Sequence, residues 1–257
     1  MEAERQITGL RYYSEIMGFL HLIQGIIIAA LSNDLSLPIT SSFLSYISNL
    51  GVLKPVTQII FELRIGYALA AFLFMSAFAH FLLASPGIYQ WYRNNLKNAI
   101  NYARWLEYAF SASLMIVVIG MLSGIYDIVA LIGLFSLTAL MNLLGLLMEQ
   151  QGWRSRRINW TPYYFGCIAG VIPWIAISIY FFGSASTGKM PAYVYFIMVS
   201  IFILFFSFAL NMLLQYKRWG PWRDYLFGER VYILLSLVAK SALAWQVFYG
   251  ALSRSTY

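Results

Sequence analysis

A single lysine stands in the middle of an almost uncharged segment near the C-terminus. Lys240 lies halfway along the apolar run 231–249, which is long enough to cross a lipid bilayer. An ammonium group at the bilayer centre costs about 2.5–3.5 kcal/mol on insertion scales, so it is usually paired, kept in a wet cavity or used chemically. A desolvated lysine loses its proton easily and can form a Schiff base with an aldehyde. Lys240 is therefore the leading candidate functional residue.

One acidic residue is placed to pair with this lysine. Glu107 is the only acid well inside any predicted span. Hydroxyl groups lie one helical turn away on the same faces, with Ser111 four residues after Glu107 and Ser236 four residues before Lys240. Arg104, three residues before Glu107, is predicted to add a cation that keeps the carboxylate ionised. The other acids near the membrane lie close to predicted span ends: Glu62, Asp127, Glu149 and Glu229.

The Lys240–Glu107 pair has two interpretations. In the first, it is a structural salt bridge that joins two helices. In the second, Lys240 condenses with an aldehyde and Glu107 is the counterion. The second is favoured, because desolvation of a buried ion pair can exceed its Coulomb gain and two apolar residues would join the helices at lower cost. The structural salt bridge remains an alternative.

The composition is that of a membrane protein. The chain has 257 residues, of which 61% are hydrophobic and only 11% are charged, and a soluble domain of this size needs more surface charge. The single cysteine, Cys167, excludes an intrachain disulfide and a cysteine-cluster metal site. The basic residues are scattered over several short loops, so nucleic-acid binding is a poor interpretation.

Seven apolar windows of membrane-spanning length predict an all-α, seven-transmembrane-helix bundle that forms one domain over residues 1–257. The connection 32–57 is the longest. Its alternating stretches 35–39 and 43–47 predict either a small β-hairpin outside the bilayer or an unstructured loop. The predicted spans are 12–31, 58–84, 98–124, 128–148, 162–182, 192–216 and 228–250.

The basic residues of the loops predict the orientation, because cytoplasmic loops carry an excess of Lys and Arg. Ten basic residues share the side of the N-terminus: Arg5, Arg11, Arg93, Lys97, Arg154, Arg156, Arg157, Lys217, Arg218 and Arg223. Three lie on the opposite side: Lys54, Lys189 and Arg254. The N-terminus is therefore predicted to be cytoplasmic and the C-terminus extracellular. The net charge of +7 resides on this inner face, which attracts anionic lipids.

Two histidines fall on the same side of the membrane as Glu107. His21 lies in the first span and His80 near the inner end of the second. Ser76 and Gln24 lie within one turn of them, and Tyr92 can reach in from the following loop. Histidine titrates near neutral pH, so the pair is a candidate proton-accepting site. A hydrogen-bonded packing role for each histidine is the alternative.

Seven spans with a lysine in the last and an acid on the third resemble a rhodopsin, and several strings resemble heliorhodopsins in particular. The resemblance covers essentially the whole chain. The strings are Gly228-Glu-Arg-Val-Tyr-Ile-Leu-Leu-Ser-Leu-Val-Ala-Lys-Ser-Ala-Leu-Ala-Trp-Gln246, Arg104-Trp-Leu-Glu-Tyr-Ala-Phe-Ser111, Phe165-Gly-Cys-Ile-Ala-Gly-Val-Ile-Pro-Trp174 and Phe19-Leu-His-Leu-Ile-Gln24.

The resemblance implies a photoreceptor of the cell membrane rather than an enzyme. Lys240 is expected to carry all-trans retinal as a protonated Schiff base with Glu107 as counterion, while Ser236 and Ser111 adjust its hydrogen bonding. The histidine cavity is expected to store a proton reversibly during a slow photocycle. A homodimer and an unidentified signalling partner are also implied, as is an N-terminus inside the cell. The remaining residues expected to line the polyene are Met115, Met141, Gly145, Trp174, Phe202, Phe205 and Trp245.

The third span lacks the proton donor of outward pumps. The third span of such pumps has the pattern Asp-x-x-x-Thr-x-x-x-x-x-x-Asp, whereas this chain has Glu107, Ser111 and Val118 at these positions. Valine cannot hold a proton, so no ion pumping is expected. A light-driven ion transporter that uses an unrelated donor, a non-photochemical membrane protein and a light-regulated enzyme acting through a partner remain alternatives.

Overall fold

The computed structural model describes residues 2–49, 51–153, 155, 157–188 and 192–252. Four residues counted in the orientation prediction lie outside the described residues: Arg154, Arg156, Lys189 and Arg254. In chain order the helices and strands are α1 (Glu2–Leu31), β1 (Ser36–Ile47), β2 (Val52–Arg64), α2 (Ile65–Ala84), α3 (Pro86–Lys97), α4 (Tyr102–Leu122), α5 (Ile128–Gly152), α6 (Thr161–Thr187), α7 (Ala192–Tyr216), a 3-10 turn (Gly220–Arg223) and α8 (Tyr225–Val247).

Within these described ranges, seven helices are long and apolar enough to cross a membrane: α1, α2, α4, α5, α6, α7 and α8. The predicted seven-helix bundle is therefore confirmed. The sequence windows missed α3, which begins with Pro86 in its first turn and buries only Tyr92 and Leu96. A short amphipathic helix of this kind lacks the continuous apolar run for which such windows select.

Side-chain caps define where three of the spans begin. Asn101 accepts a hydrogen bond from the backbone N–H of Arg104 at the start of α4. Asp127 caps α5, and Asp224 caps α8 through the N–H of Leu226. These oxygens satisfy backbone donors that have no partner within the helix. The beginnings of α4 and α8, which carry the candidate site, are thereby fixed.

Helix α4 is the central helix of the bundle. Its apolar window is 61% buried, the highest fraction among the seven spans. It packs against α2 and α5, while α8 packs against α7 and α1. Glu107 lies on a buried face of this helix, since its side chain is 10% exposed whereas the adjacent Leu106 is 47% exposed.

A two-stranded antiparallel sheet fills most of the connection between α1 and α2. The predicted alternating stretches 35–39 and 43–47 do not form its two arms, since β1 contains nearly all of both and pairs with β2. The window 58–84 was wrong at its start, because the apolar residues 58–64 belong to β2. Near the turn, Gly51 has a φ of +64°, which glycine adopts without steric cost.

The hairpin makes a backbone hydrogen bond to the bundle from β1. The backbone N–H of Thr40 donates to the carbonyl oxygen of Tyr126 at 2.8 Å, next to a register shift between Ile39 and Thr40. Tyr126 lies in the loop between α4 and α5. The hairpin thus contacts the end of the helix that carries Glu107.

Candidate functional site

A buried ion pair joins α8 to α4. The Nζ atom of Lys240 donates to Oε1 of Glu107 at 2.8 Å, and the two side chains are 3% and 10% exposed. Helix α4 places Glu107 six residues after its N-cap Asn101, and α8 places Lys240 towards its C-terminal half. The structure therefore brings together the two residues that sequence reasoning had ranked first.

Serine hydroxyl groups of α8, α2 and α4 surround the ion pair. Lys240 also donates to the hydroxyl of Ser236 at 2.8 Å. Ser76 of α2, which was predicted to lie with the histidines, donates to the same Glu107 oxygen at 2.7 Å. The fully buried Ser111 hydroxyl lies near Glu107 but without the geometry of a hydrogen bond.

The two histidines lie together on α1 and α2. The rings of His21 and His80 are stacked with their centroids 5.7 Å apart. Nδ1 of His80 is 3.0 Å from the hydroxyl of Ser14, a residue that the sequence analysis had not singled out. Neither ring nitrogen of His21 has a hydrogen-bond partner in the described part of the chain.

A small polar cavity lies beside the ion pair, between it and the start of α4. Its volume is about 30 Å³, and its wall includes His80 and Glu107. Tyr92 of α3 is a third wall residue, and burial raises the pKa of its hydroxyl far above the ordinary value, so this hydroxyl stays neutral. The other polar wall residues are Ser14, Ser76, Asn101, Arg104, Tyr108 and Ser236.

Lys240 also lines an apolar crevice on the opposite side of the ion pair. The predicted residues Met115, Met141, Phe205 and Ser236 line it too. It continues into a second cavity whose wall contains the predicted Gly145. The two cavities share Tyr108, Met141, Asn142, Phe205 and Phe208.

Three of the aromatic residues predicted to line the polyene are not in the wall of this crevice: Trp174, Phe202 and Trp245. Trp174 packs edge-on against Phe205 and Phe202, with centroids 5.5 and 5.2 Å apart, and so stands behind the crevice. Trp245 donates from its indole nitrogen to Oε1 of Gln24 at 2.9 Å. Gln24 was expected near the histidine cavity, but neither Gln24 nor Trp245 lines the polar cavity or the crevice.

The prediction that Arg104 supports Glu107 was wrong. Its Nη2 donates to Glu149 at 2.5 Å and to Glu229 at 3.0 Å. Its guanidinium also stacks over the rings of Trp105 and Tyr232. A spacing of three residues puts Arg104 and Glu107 on one face, but the long arginine side chain turns instead towards α5 and α8.

Sequence reasoning missed Glu149 and Glu229 as interior groups. Both lie near the ends of their spans, where a carboxylate normally reaches water. In the structure they are 2% and 0% exposed. Their proximity depends on the packing of α4, α5 and α8, which no local pattern reveals. The Arg104–Glu149–Glu229 cluster is therefore a second buried charged group beside the candidate site.

The crevice suits an elongated apolar aldehyde. An amine stands at one end, and flat or small residues line the walls. A Cβ atom at Gly145 would lie 2.3 Å from the Trp105 ring, and one at Gly170 would lie 2.4 Å from the sulfur of Met141. These glycines therefore make room for two of the side chains that line the second cavity, which continues from the crevice, and the residues present fit retinal.

Seven apolar helices with a buried lysine in the last and its carboxylate partner on the third define a rhodopsin-like membrane protein. The chain belongs to the heliorhodopsin family, whose model matches residues 10–252. No curated protein matches the chain. Membership makes it a retinal-based light-sensing protein and a multi-pass integral membrane protein in contact with the lipid bilayer. The resemblance found in the sequence is thereby confirmed.

Proposed function

We propose that Lys240 holds all-trans retinal as a protonated Schiff base and that Glu107 is its counterion. The observation that carries this proposal is the buried 2.8 Å contact between Lys240 Nζ and Glu107 Oε1 at the end of an apolar crevice. When bound, retinal supplies light absorption and isomerisation. The chain supplies the amine, the balancing charge and a dry environment that strengthens their interaction.

Serine hydroxyls orient the charged groups. Ser236 accepts a hydrogen bond from Lys240, and Ser76 donates one to Glu107. Hydrogen bonds to charged groups are worth about 1.5–3 kcal/mol each, enough to hold one arrangement of the pair. Ser111, fully buried beside Glu107, is the third proposed hydroxyl of this set.

We propose that a proton released towards Glu107 after light stays inside the protein. The polar cavity contains Glu107 and His80, and His21 stacks on His80. A neutral imidazole nitrogen accepts a proton and later returns it. Tyr92 and Ser76 line the same space, so they belong to the proposed proton-accepting set, whereas the position of Gln24 gives it no such role.

The outer half of α4 supports a signalling role without ion pumping. Val118 is fully buried and Ile119 is 5% exposed, and both belong to the hydrophobic core. Neither of these side chains, nor the buried apolar residues of the described core around them, can take up or release a proton. The protein is therefore proposed to be a sensor and not a catalyst or a pump, and its slow photocycle would give a partner time to respond.

The remaining parts of the proposal concern assembly. We propose a cytoplasmic N-terminus and an extracellular C-terminus, on the charge bias of the loops. Residues 1–257 are taken as one domain, present as a homodimer in the cell membrane and acting on a downstream protein partner. Labelling of cysteines introduced into the α2–α3 loop and the hairpin from one side of the membrane tests the orientation.

The decisive experiment is the visible spectrum after addition of all-trans retinal to the purified protein. A coloured pigment should form. Borohydride reduction under illumination should convert the Schiff base into a stable amine, and peptide mapping should then find the retinyl group on the peptide that contains Lys240. Lys240→Ala should stay colourless, whereas the control Lys54→Ala, in the hairpin strand β2, should form the normal pigment. A colourless wild-type protein would favour the structural salt bridge instead.

A further inference from the structure

The buried charges of the described residues do not balance. Lys240 and Arg104 are cations, and they are 3% and 6% exposed. Glu107, Glu149 and Glu229 are acids, and their side chains are between 0% and 10% exposed. Two cations face three carboxylates, which leaves one excess negative charge inside the bundle.

The excess charge lies on the carboxylates that share Arg104. Lys240 is already paired with Glu107. Nη2 of Arg104 donates both to Oε1 of Glu149 and to Oε1 of Glu229, and its Nε donates to Oε2 of Glu229 at 3.1 Å. Two carboxylates at one guanidinium resist joint ionisation, because like charges in one site favour a proton on one of them.

Other donors offset part of this cost. Asn101 donates to Glu149 through its backbone N–H at 2.9 Å and to Glu229 through its side chain at 2.6 Å. The indole N–H of Trp105 donates to Glu149 at 2.7 Å. The start of α4 contributes about half a positive charge. These contacts orient the carboxylates, but they supply no full cation, and an uncompensated buried carboxylate is strongly unfavourable. Such groups normally take up a proton instead.

The neighbouring titratable groups do not supply the missing charge. Tyrosines face the cluster from four helices: Tyr92 of α3, Tyr108 of α4, Tyr216 of α7, and Tyr225 and Tyr232 of α8. A tyrosine is neutral or negative and never a cation. His80 lies on the other side of the polar cavity beside Glu107, and no carboxylate bonds either histidine in the described residues. Arg230, on the outer face of α8, is exposed.

We propose that Glu149 and Glu229 share one proton at neutral pH and form a proton site separate from the histidines. The hydroxyl of Tyr225 donates to Oε1 of Glu149 at 3.3 Å, and rotation of this hydroxyl lets its oxygen accept from an O–H on the same carboxyl group. The pair faces the polar cavity through Arg104 and Asn101, and the same cavity contains Glu107. At about 30 Å³ it has room for about two water molecules. Nη1 of Arg104 is buried and has no partner among the described residues, as expected if it binds such a water.

Infrared spectroscopy in the dark tests the proposal. A protonated carboxyl group has a carbonyl stretch that a carboxylate lacks, and this band shifts in D₂O. The wild-type protein should show one such band at pH 7. Because either single substitution leaves one carboxylate for one arginine, both Glu149→Gln and Glu229→Gln should lose the band. Glu15→Gln, which changes an acid paired with Arg11 on α1, should keep it.

Each other outcome has a defined meaning. Absence of the band in the wild type, its retention in both glutamine variants, or its loss in only one of them would overturn the shared site. Should the glutamine variants fail to fold, Glu149→Asp and Glu229→Asp retain both carboxyl groups and should show a shifted band; its absence in both would overturn the proposal. The band is measured before retinal is added, so failure of this inference is distinct from failure of the proposed function. His80→Ala should leave the band in place.

Discussion

Ser76 of α2 and Lys240 of α8 donate hydrogen bonds to the same oxygen of Glu107, at 2.7 and 2.8 Å. Glu107, the proposed counterion on α4, is thus held from two other helices. A carboxylate oxygen that accepts two hydrogen bonds interacts less strongly with each donor than it would with one donor alone. The strength of its interaction with Lys240 therefore depends on a hydroxyl of α2.

Removing the Ser76 hydroxyl should alter both colour and stability. In Ser76→Ala, Glu107 directs more of its charge at Lys240, so we expect the absorption maximum of the retinal-loaded protein to shift to the blue. Loss of a hydrogen bond to a charged group should cost about 1.5–3 kcal/mol of unfolding free energy. Absorption spectra and thermal unfolding measure the two effects. Ser113→Ala is the matched control, since Ser113 bonds only a carbonyl of its own helix; an equal blue shift there would contradict the prediction.

Neutralising the counterion should shift the colour the other way. In Glu107→Gln the proposed protonated Schiff base of Lys240 loses its carboxylate partner. Its positive charge then spreads along the polyene, so the absorption maximum should move to the red. Glu62→Gln is the control, because Glu62 lies in β2 and bonds only Ser36. An unchanged spectrum in Glu107→Gln would remove Glu107 from the counterion role.

The histidine pair should affect proton transfer more than colour. His80 contacts Ser14 and His21 rather than the crevice. We therefore expect His80→Ala to change the rise or decay of the proton-transfer intermediate by several-fold, with little change in the dark spectrum. Flash photolysis gives the rates. A large colour change in His80→Ala would instead place this ring against the chromophore.

Arg104 should be far more important for stability than an arginine at the surface. Arg104→Met leaves Glu149 and Glu229 buried without a cation, and breaking a buried pair in this way costs about 3–5 kcal/mol. Arg93→Met should cost less than about 1 kcal/mol, because Arg93 pairs with Glu4 where both are partly exposed. Unfolding of both variants in the same detergent gives the comparison. Equal losses would show that the cluster does not stabilise the bundle.

The shape of the second cavity, which continues from the crevice, should depend on Gly145. A methyl group there would meet the Trp105 ring at 2.3 Å, so Gly145→Ala should force the ring to move and should slow or weaken pigment formation. Gly133→Ala, on the same helix with no atom within 4 Å of the new methyl, is the control. It should form pigment normally and gain up to about 1 kcal/mol from helix propensity. Normal pigment in Gly145→Ala would place retinal away from this wall.

The residues differ in how far the sequence could predict them. Lys240 and Glu107 were predictable, because a charge in the middle of a span is costly enough to demand a partner. Glu149 and Glu229 were not, since a carboxylate at a span end looks solvated until three helices pack around it. Arg104 shows that helical spacing alone cannot determine which neighbour a long side chain contacts. Residues 58–64 show that a short apolar run fits a strand as well as a helix.

The attachment of the hairpin at Thr40 has a mechanical consequence. Strand β1 continues for seven residues beyond Thr40, a length of about 25 Å at the usual rise per residue. A slight rotation of the α4–α5 loop would therefore produce a much larger displacement at the hairpin tip. Distance measurements between spin labels at Ser45 and on the rim of the bundle, in darkness and after a flash, would record this amplification.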